Sequence, residues 1–258
     1  MPAGTTGNVE LRRAQYRAAD DPTRQLYLAR ATVAGKIANL RTMLQRGARG
    51  SVDAPELAEI AARLTARRSA TSDVASLPEL MGLEGAATRD YFSAFDTLVG
   101  PPWTFTGRQR RPPPDPVNAM LSFGYTLLVE DAVSALQIAG LDPEVGFLHA
   151  AGWGRPSLAL DLIEEFRPLV VDITVTRLAR TGQISPSDFI ISDQDGCRMN
   201  SSTRDLFLGA YERRMLTLVS HPATDHRVSY RTALLAQARA VAHWIAGRNP
   251  DYRSMPWR

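Results

Sequence analysis

The chain has 258 residues, of which 44% are hydrophobic and 22% charged, and a formal net charge of +3. That composition excludes a disordered polypeptide, and the length is enough for one large domain with a core of useful size. No stretch approaches the roughly 18 uninterrupted apolar residues of a membrane span, and the N-terminus has no apolar signal core. A lone cysteine, Cys197, rules out an intrachain disulfide and a cysteine-rich zinc cage. A cytoplasmic protein with no membrane partner is expected.

The choice of cation is lopsided. Lys36 is the only lysine, and every other basic residue is arginine. Arginine's planar fork suits phosphate oxygens, so the bias is compatible with nucleic-acid binding. A GC-rich genome produces the same bias through codon usage, so charge alone decides nothing.

In chain order, residues 1–20 read as a linker-like segment, and residues 21–258 as one helical domain. Leu26, Val33, Ile37, Leu40 and Leu44 recur at helical spacing and predict a long amphipathic helix from Asp21 to Gly47, with Asp21-Pro22 as cap and first turn. A second helix is expected over Ala54–Arg68 and a third over Leu77–Val99, stopped by Gly100-Pro101-Pro102. Residues 100–116 form a basic, proline-rich loop carrying Arg108, Arg110 and Arg111. An apolar helix follows over Asp115–Ala139 with Gly140 as its C-cap, then a helix over Ser157–Val175. Asp188–Ser192 and Asp195–Met199 predict a small β-hairpin, and helices over Ser202–Ser220 and Ser229–Ile245 complete the chain. The fold class is all-α, with a minor hairpin.

Three places put acids or a histidine where apolar residues are expected. Glu84 falls on the face shared by Leu80, Ala87 and Tyr91, where an unpaired carboxylate would be costly. A surface-facing or salt-bridged glutamate is the plain alternative. His149 sits between Gly146 and Gly152-Trp153-Gly154, where glycines permit close backbone approach, although a lone histidine there is commonly a satisfied core residue. Asp161, Glu164 and Glu165 cluster on one helix at spacings of three and four, which is destabilising unless a cation or the flanking Arg155 and Arg167 offset it. Two carboxylates and an imidazole make an oxygen/nitrogen set suited to Mg²⁺ or Mn²⁺ with positions left open for phosphate oxygens. There is no Glu-x-x-His pair, no Gly-x-x-x-x-Gly-Lys loop and no Gly-x-Ser-x-Gly elbow, which argues against a di-iron bundle, a nucleotide hydrolase and a serine hydrolase.

These segments resemble the CRISPR-associated spacer integrase family (Cas-one) over nearly the whole chain. Ala34–Arg41 is similar to the family's Lys-Ile-x-Asn-x-Arg helix, and Leu80–Ala87 with Arg89, Tyr91 and Phe92 to its first metal-ligand motif. Gly146–His149 and Gly154–Pro168 are similar to the second and third, and His221-Pro222, Ser229–Arg231 and Tyr252-Arg253 to its C-terminal end. The resemblance implies metal ligands at Glu84, His149 and Glu164, which would be the catalytic residues. It places Asp161 beside them, as support for a ligand or as an alternate one, and leaves Arg155 and Arg167 to hold DNA phosphates. It also implies a divalent-metal-dependent endonuclease and integrase acting on spacer DNA and the CRISPR repeat, as a homodimer with the small partner Cas-two. Family members usually open with a β-rich domain that builds the dimer and docks that partner. This chain opens at the linker-like Leu11–Tyr16 and is expected to lack that domain, which would take away the usual basis for both assemblies. The alternative is a DNA-binding fragment that is inactive without it.

Overall fold

The computed structural model describes residues 9–49, 52–192, 194–222 and 226–257. Residues 1–8 of the expected linker lie outside these. The rest of that segment is no linker: it forms helix α1 (Val9–Asp20), which buries Leu11, Gln15 and Ala18. Gln15 donates to the carbonyls of Asp142 and Val145 and accepts from the Asp142 N–H, sealing α1 to a distant loop.

Asp21 then caps α2 (Pro22–Gly47), its carboxylate accepting from the N–H groups of Thr23 and Arg24. Of the apolar stripe of α2, Val33, Ile37, Leu40 and Leu44 are buried and Leu26 is partly buried, and Lys36 and Asn39 are buried with them. α3 (Ala54–Ala70) packs against α2, and α4 (Leu77–Ser93) contacts both. The helix expected to continue to Val99 breaks at Ala94, and a separate turn, α5 (Phe95–Val99), follows. Across the break Tyr91, Phe92, Phe95 and Phe105 make an aromatic cluster with centroids 5.1 to 5.9 Å apart. Such ring pairs add to their area burial and hold the start of the basic loop against the core.

α6 (Pro116–Ile138) starts at its cap Asp115, which accepts the Asn118 N–H at 2.8 Å, and is followed by Gly140 at φ 84°. Among the described residues it is the one helix long and apolar enough to cross a membrane by length and composition. Here it is the central core helix, packed by α7 (Ser157–Glu164) and the last helix of the chain. The helix expected over Ser157–Val175 is interrupted. Pro168 has no N–H to offer the Glu164 carbonyl, and the chain widens into a π turn (Arg167–Asp172) before α8 (Ile173–Arg180).

The predicted hairpin is present as β1 (Phe189–Ser192) and β2 (Gly196–Met199), antiparallel, with Phe189 opposite Met199 and Ser192 opposite Gly196. α9 (Ser201–Met215) ends five residues short of the expected Ser220. Its expected last turn instead forms β3 (Leu218–Ser220), which pairs with β4 (Arg227–Ser229) in a second hairpin that the sequence reading did not anticipate. α10 (Tyr230–Ile245) closes the bundle. The architecture is mostly helical, with two small two-stranded sheets among the described residues.

Candidate active site

The lone lysine organises the site. Lys36 replaces an apolar residue on the buried stripe of α2, one turn from Leu40, and an ammonium there must be paired. It meets Glu84 from α4 and, at 2.6 Å, Glu164 Oε2 from the end of α7. Thr88, one turn along α4, donates to Glu84 Oε1 at 2.8 Å. The other Glu164 oxygen pairs with Arg167 at 3.1 Å. Glu164 is wholly buried, which raises its pKa; the Arg167 guanidinium, the Lys36 ammonium and the nearby His149 ring overcome that and hold it down at about 2. Glu164 Oε2 lies within ion-pair distance of Lys36, yet no hydrogen bond is aligned with it.

His149 is set by its neighbour Asp161. One oxygen of Asp161 accepts from the N–H groups of Phe147 and Leu148, at 2.6 and 2.9 Å. The other meets the His149 N–H and the His149 Nδ1, at 2.9 and 2.7 Å. Four partners fill the four lone pairs of this carboxylate. Asp161 therefore orients the imidazole, and the alternate-ligand reading of it does not hold in this geometry. With Nδ1 engaged, Nε2 is the nitrogen left for a ligand, the arrangement common to metal-binding histidines. Gly146 allows the tight approach: a Cβ there would lie 2.8 Å from the Ser157 carbonyl carbon and 2.9 Å from Asp161 Oδ2.

A cavity of about 200 Å³ opens on this cluster, lined by Lys36, Glu84, Arg108, Tyr125, Arg167 and Asp172, with Arg110 at its edge. The basic loop is thus part of the site. Arg108 donates to Asn118 and Ser122 and lies 5.5 Å from the Tyr125 ring, while Arg167 lies 4.5 Å from the same ring. A second cavity of about 390 Å³ shares Thr88, Phe92, Arg108 and Arg110 and adds Arg89. Below them Asp172 is wholly buried. Burial pushes its pKa up against the hydroxyls of Tyr125 and Tyr91, which donate to it at 2.6 and 2.9 Å.

Glu84 and Glu164 are therefore brought together, and His149 is placed close to Glu164. As the side chains stand, no three His, Cys, Asp or Glu among the described residues converge as a metal-binding group. The Lys36 ammonium takes the position that the two glutamates share. The donor set fits a divalent cation all the same: two carboxylates gathered on one positive charge, a buried oxygen without an aligned donor, and an imidazole held by its far nitrogen. Glu84, Glu164 and His149 are the residues able to hold it. Arg167 lies in the cavity, whereas Arg155 is exposed on the turn Gly152–Arg155 and, among the described residues, pairs with none of the acids.

Sequence reasoning missed Lys36, Arg108 and Asp172 as members of the site. Lys36 had a legible signal, a charge on an otherwise apolar helical stripe. Glu165, grouped with the acidic stripe, points elsewhere. It accepts from Tyr252 Oη at 2.6 Å, the Met255 N–H at 2.6 Å and Gln237 Nε2 at 3.0 Å, and burial raises its pKa to about 7. Asn39 completes this clamp, donating to the carbonyls of Glu165 and Met255.

Comparison with known proteins identifies the family. The family model described as CRISPR associated protein Cas1 matches residues 1–213. A CRISPR-associated exonuclease Cas4/endonuclease Cas1 fusion of Geobacter sulfurreducens is 41% identical over 95% of this chain and 45% of its own length. A CRISPR-associated endonuclease Cas1 of Chlorobaculum tepidum is 39% identical over 100% of this chain and 77% of its own. The chain thus spans less than half of the fusion relative. Among solved structures, a partial Cas6-RT-Cas1–Cas2 complex superposes with a TM-score of 0.84 at 26% identity, covering 98% of this chain and 73% of that one. The carboxylate pair, the oriented histidine and this matched length lead to one conclusion: the chain belongs to the CRISPR-associated Cas1 protein family.

Proposed function

We propose that this chain is a divalent-metal-dependent DNA endonuclease and integrase of CRISPR adaptation, which cuts and rejoins phosphodiesters to insert spacer DNA into the repeat array. The observation that carries the reading is the Glu84–Lys36–Glu164 bridge, two of whose members, Lys36 and Glu84, line a cavity together with Arg108, Arg110 and Arg167. A strongly anionic substrate needs cations at its phosphates, and a phosphoryl-transfer site needs carboxylates that gather positive charge at the reacting centre. Both occur here within one cavity. Bound Mg²⁺ or Mn²⁺ supplies the Lewis acid that polarises the phosphorus centre and stabilises the attacking and leaving oxygens.

The chain's own residues do the rest. Arg167 and Arg108, fixed beside the Tyr125 ring, bind the non-bridging oxygens and align the scissile bond with the attacking 3′-hydroxyl. Asp161 keeps the His149 ring in one tautomer and one orientation. Lys36 balances the charge of the two glutamates, a role that a divalent cation held by Glu84 and Glu164 would take over. DNA is the proposed substrate. A Cas2 protein is the proposed partner by likeness to the Cas1–Cas2 assembly named above, and a second copy of the chain is proposed from the family resemblance alone.

The test is disintegration of a branched DNA with Mg²⁺, Mn²⁺ or chelator, using the wild-type chain, E84A and H149A, each first checked for a native thermal transition. Metal-dependent turnover lost by at least ~100-fold in both variants is expected. Turnover that persists in folded H149A, or a wild-type chain inert with every metal, would overturn the proposal.

A further inference from the structure

Lys36 and Asp172 line the same cavity of about 200 Å³, one on α2 and the other at the end of the π turn that contacts α2. Their electrostatic situations are opposite. The Lys36 ammonium has two carboxylate partners, Glu84 and, at 2.6 Å, Glu164. The Asp172 carboxylate is buried and, among the described residues, has no ammonium or guanidinium within ion-pair distance. Its partners are two hydroxyls: Tyr125 donates to one oxygen at 2.6 Å and Tyr91 to the other at 2.9 Å. A carboxylate accepts about four donors, so each oxygen keeps room for one more. Burial raises the pKa of Asp172; after the two hydroxyls and Arg167, the Lys36 ammonium is among the groups that oppose this, so the two charges already feel each other.

A divalent ion on Glu84 and Glu164 cannot share them with an ammonium, because the cations repel and the ion needs the oxygens as ligands. Lys36 is 5% exposed, and an ammonium left inside without a carboxylate would be a buried, uncompensated charge, which is strongly unfavourable. The cavity wall holds two acids, Glu84 and Asp172. With Glu84 given to the metal, Asp172 remains. The residue type suits the move: lysine carries a compact charge on a flexible four-carbon stem, whereas arginine, used at every other basic position of the chain, carries a planar fork.

We infer that Asp172 is a positioning residue that receives the Lys36 ammonium when a divalent ion takes Glu84 and Glu164. Metal binding and the passage of Lys36 from one carboxylate seat to another are then a single event, in which the ion neutralises the glutamates as Lys36 neutralises Asp172. The inference rests on the metal reading proposed above and adds to it a seat for the displaced charge.

The test measures Mn²⁺ binding by calorimetry, without DNA, for the wild type, K36M, D172N and K36M/D172N, each first shown to melt cooperatively. Binding is ascribed to this site where E84A abolishes it. K36M, which removes the competing charge, is expected to bind roughly 10-fold more tightly than the wild type. D172N is expected to bind ~10–100-fold more weakly while Lys36 is present, and within ~2-fold of its parent in K36M, where no ammonium needs a seat. A merely structural Asp172 would lower affinity equally in both backgrounds. That equality, or K36M binding no tighter than the wild type, would overturn the inference and leave the proposed function standing. A crystal structure of the wild type with Mn²⁺ depends on no variant: Lys36 Nζ within hydrogen-bond distance of an Asp172 oxygen is expected, and Nζ still on either glutamate, or turned out to solvent, sinks the idea. Mn²⁺ binding absent from the folded wild type and K36M alike, or retained in E84A, would instead count against the metal-dependent function itself, and the inference would fall with it.

Discussion

Glu165 gives the sharpest physical prediction. Its carboxyl is wholly buried, and burial outweighs the three donors that favour its charged form, raising its pKa from 4.5 to about 7. Each tenfold change in proton affinity corresponds to about 1.4 kcal/mol, so ionising this group in the folded chain costs about 3 kcal/mol relative to the unfolded chain. The folded state holds the proton more tightly. Wild-type stability therefore falls as pH rises from 4.5 to about 7 and levels off above that. In E165Q the group stays neutral at every pH, and the amide keeps an acceptor for Met255 and Gln237 while its NH₂ faces Tyr252. Urea unfolding of both proteins at closely spaced pH values measures the difference directly. E165Q should gain on the wild type by about 3 kcal/mol between pH 4.5 and about pH 8, since titrations elsewhere cancel in the comparison. Parallel profiles across that window would refute the reasoning, because they would mean that the burial cost is already offset by hydrogen bonding.

Two further substitutions probe the seat of His149. D161N turns an amide NH₂ toward two of four donors, so it should lower stability by about 1–3 kcal/mol and weaken metal binding by roughly 10–100-fold, read by thermal melting and by metal titration. G146A places a Cβ against the Ser157 carbonyl carbon, Asp161 Oδ2 and the His149 carbonyl, all within 2.9 Å, and should cost about 1–3 kcal/mol by urea midpoint. G152A, where the nearest atom is 3.7 Å away, should be close to neutral.

The helices were legible where local chemistry marks both ends. Asp21-Pro22 caps α2 as predicted, Asp115-Pro116 caps α6 in the same way, and Gly140 takes the left-handed backbone that ends α6. Asp195-Gly196 likewise marked the first hairpin. The misses have two causes: a local break that apolar periodicity hides, and tertiary contacts that chose between locally similar options. Apolar spacing runs unbroken through Pro168, yet the missing N–H opens the π turn. Strands of three residues, Leu218–Ser220 and Arg227–Ser229, are too short to show alternation, and the Tyr230 N–H meeting the Thr217 carbonyl settles where α10 starts. In the site, Glu84 and Glu164 stood out as acids on apolar faces. The partner that gathers them lies 48 residues before Glu84 on another helix, and helix periodicity cannot report which faces meet. Glu165 shows the same limit: one residue from Glu164, it turns to a separate hydrogen-bonding clamp.

Lys36 also gives this chain an unusual chemical handle. An acylating reagent aimed at amines finds one side-chain target in all 258 residues, apart from the terminal amine. That target is 5% exposed and ion-paired to two carboxylates, so its ammonium is shielded from the reagent. Labelling at Lys36 thus reports how often the glutamates release it, and any ligand that competes for Glu84 and Glu164 becomes visible as a change in the rate of covalent modification.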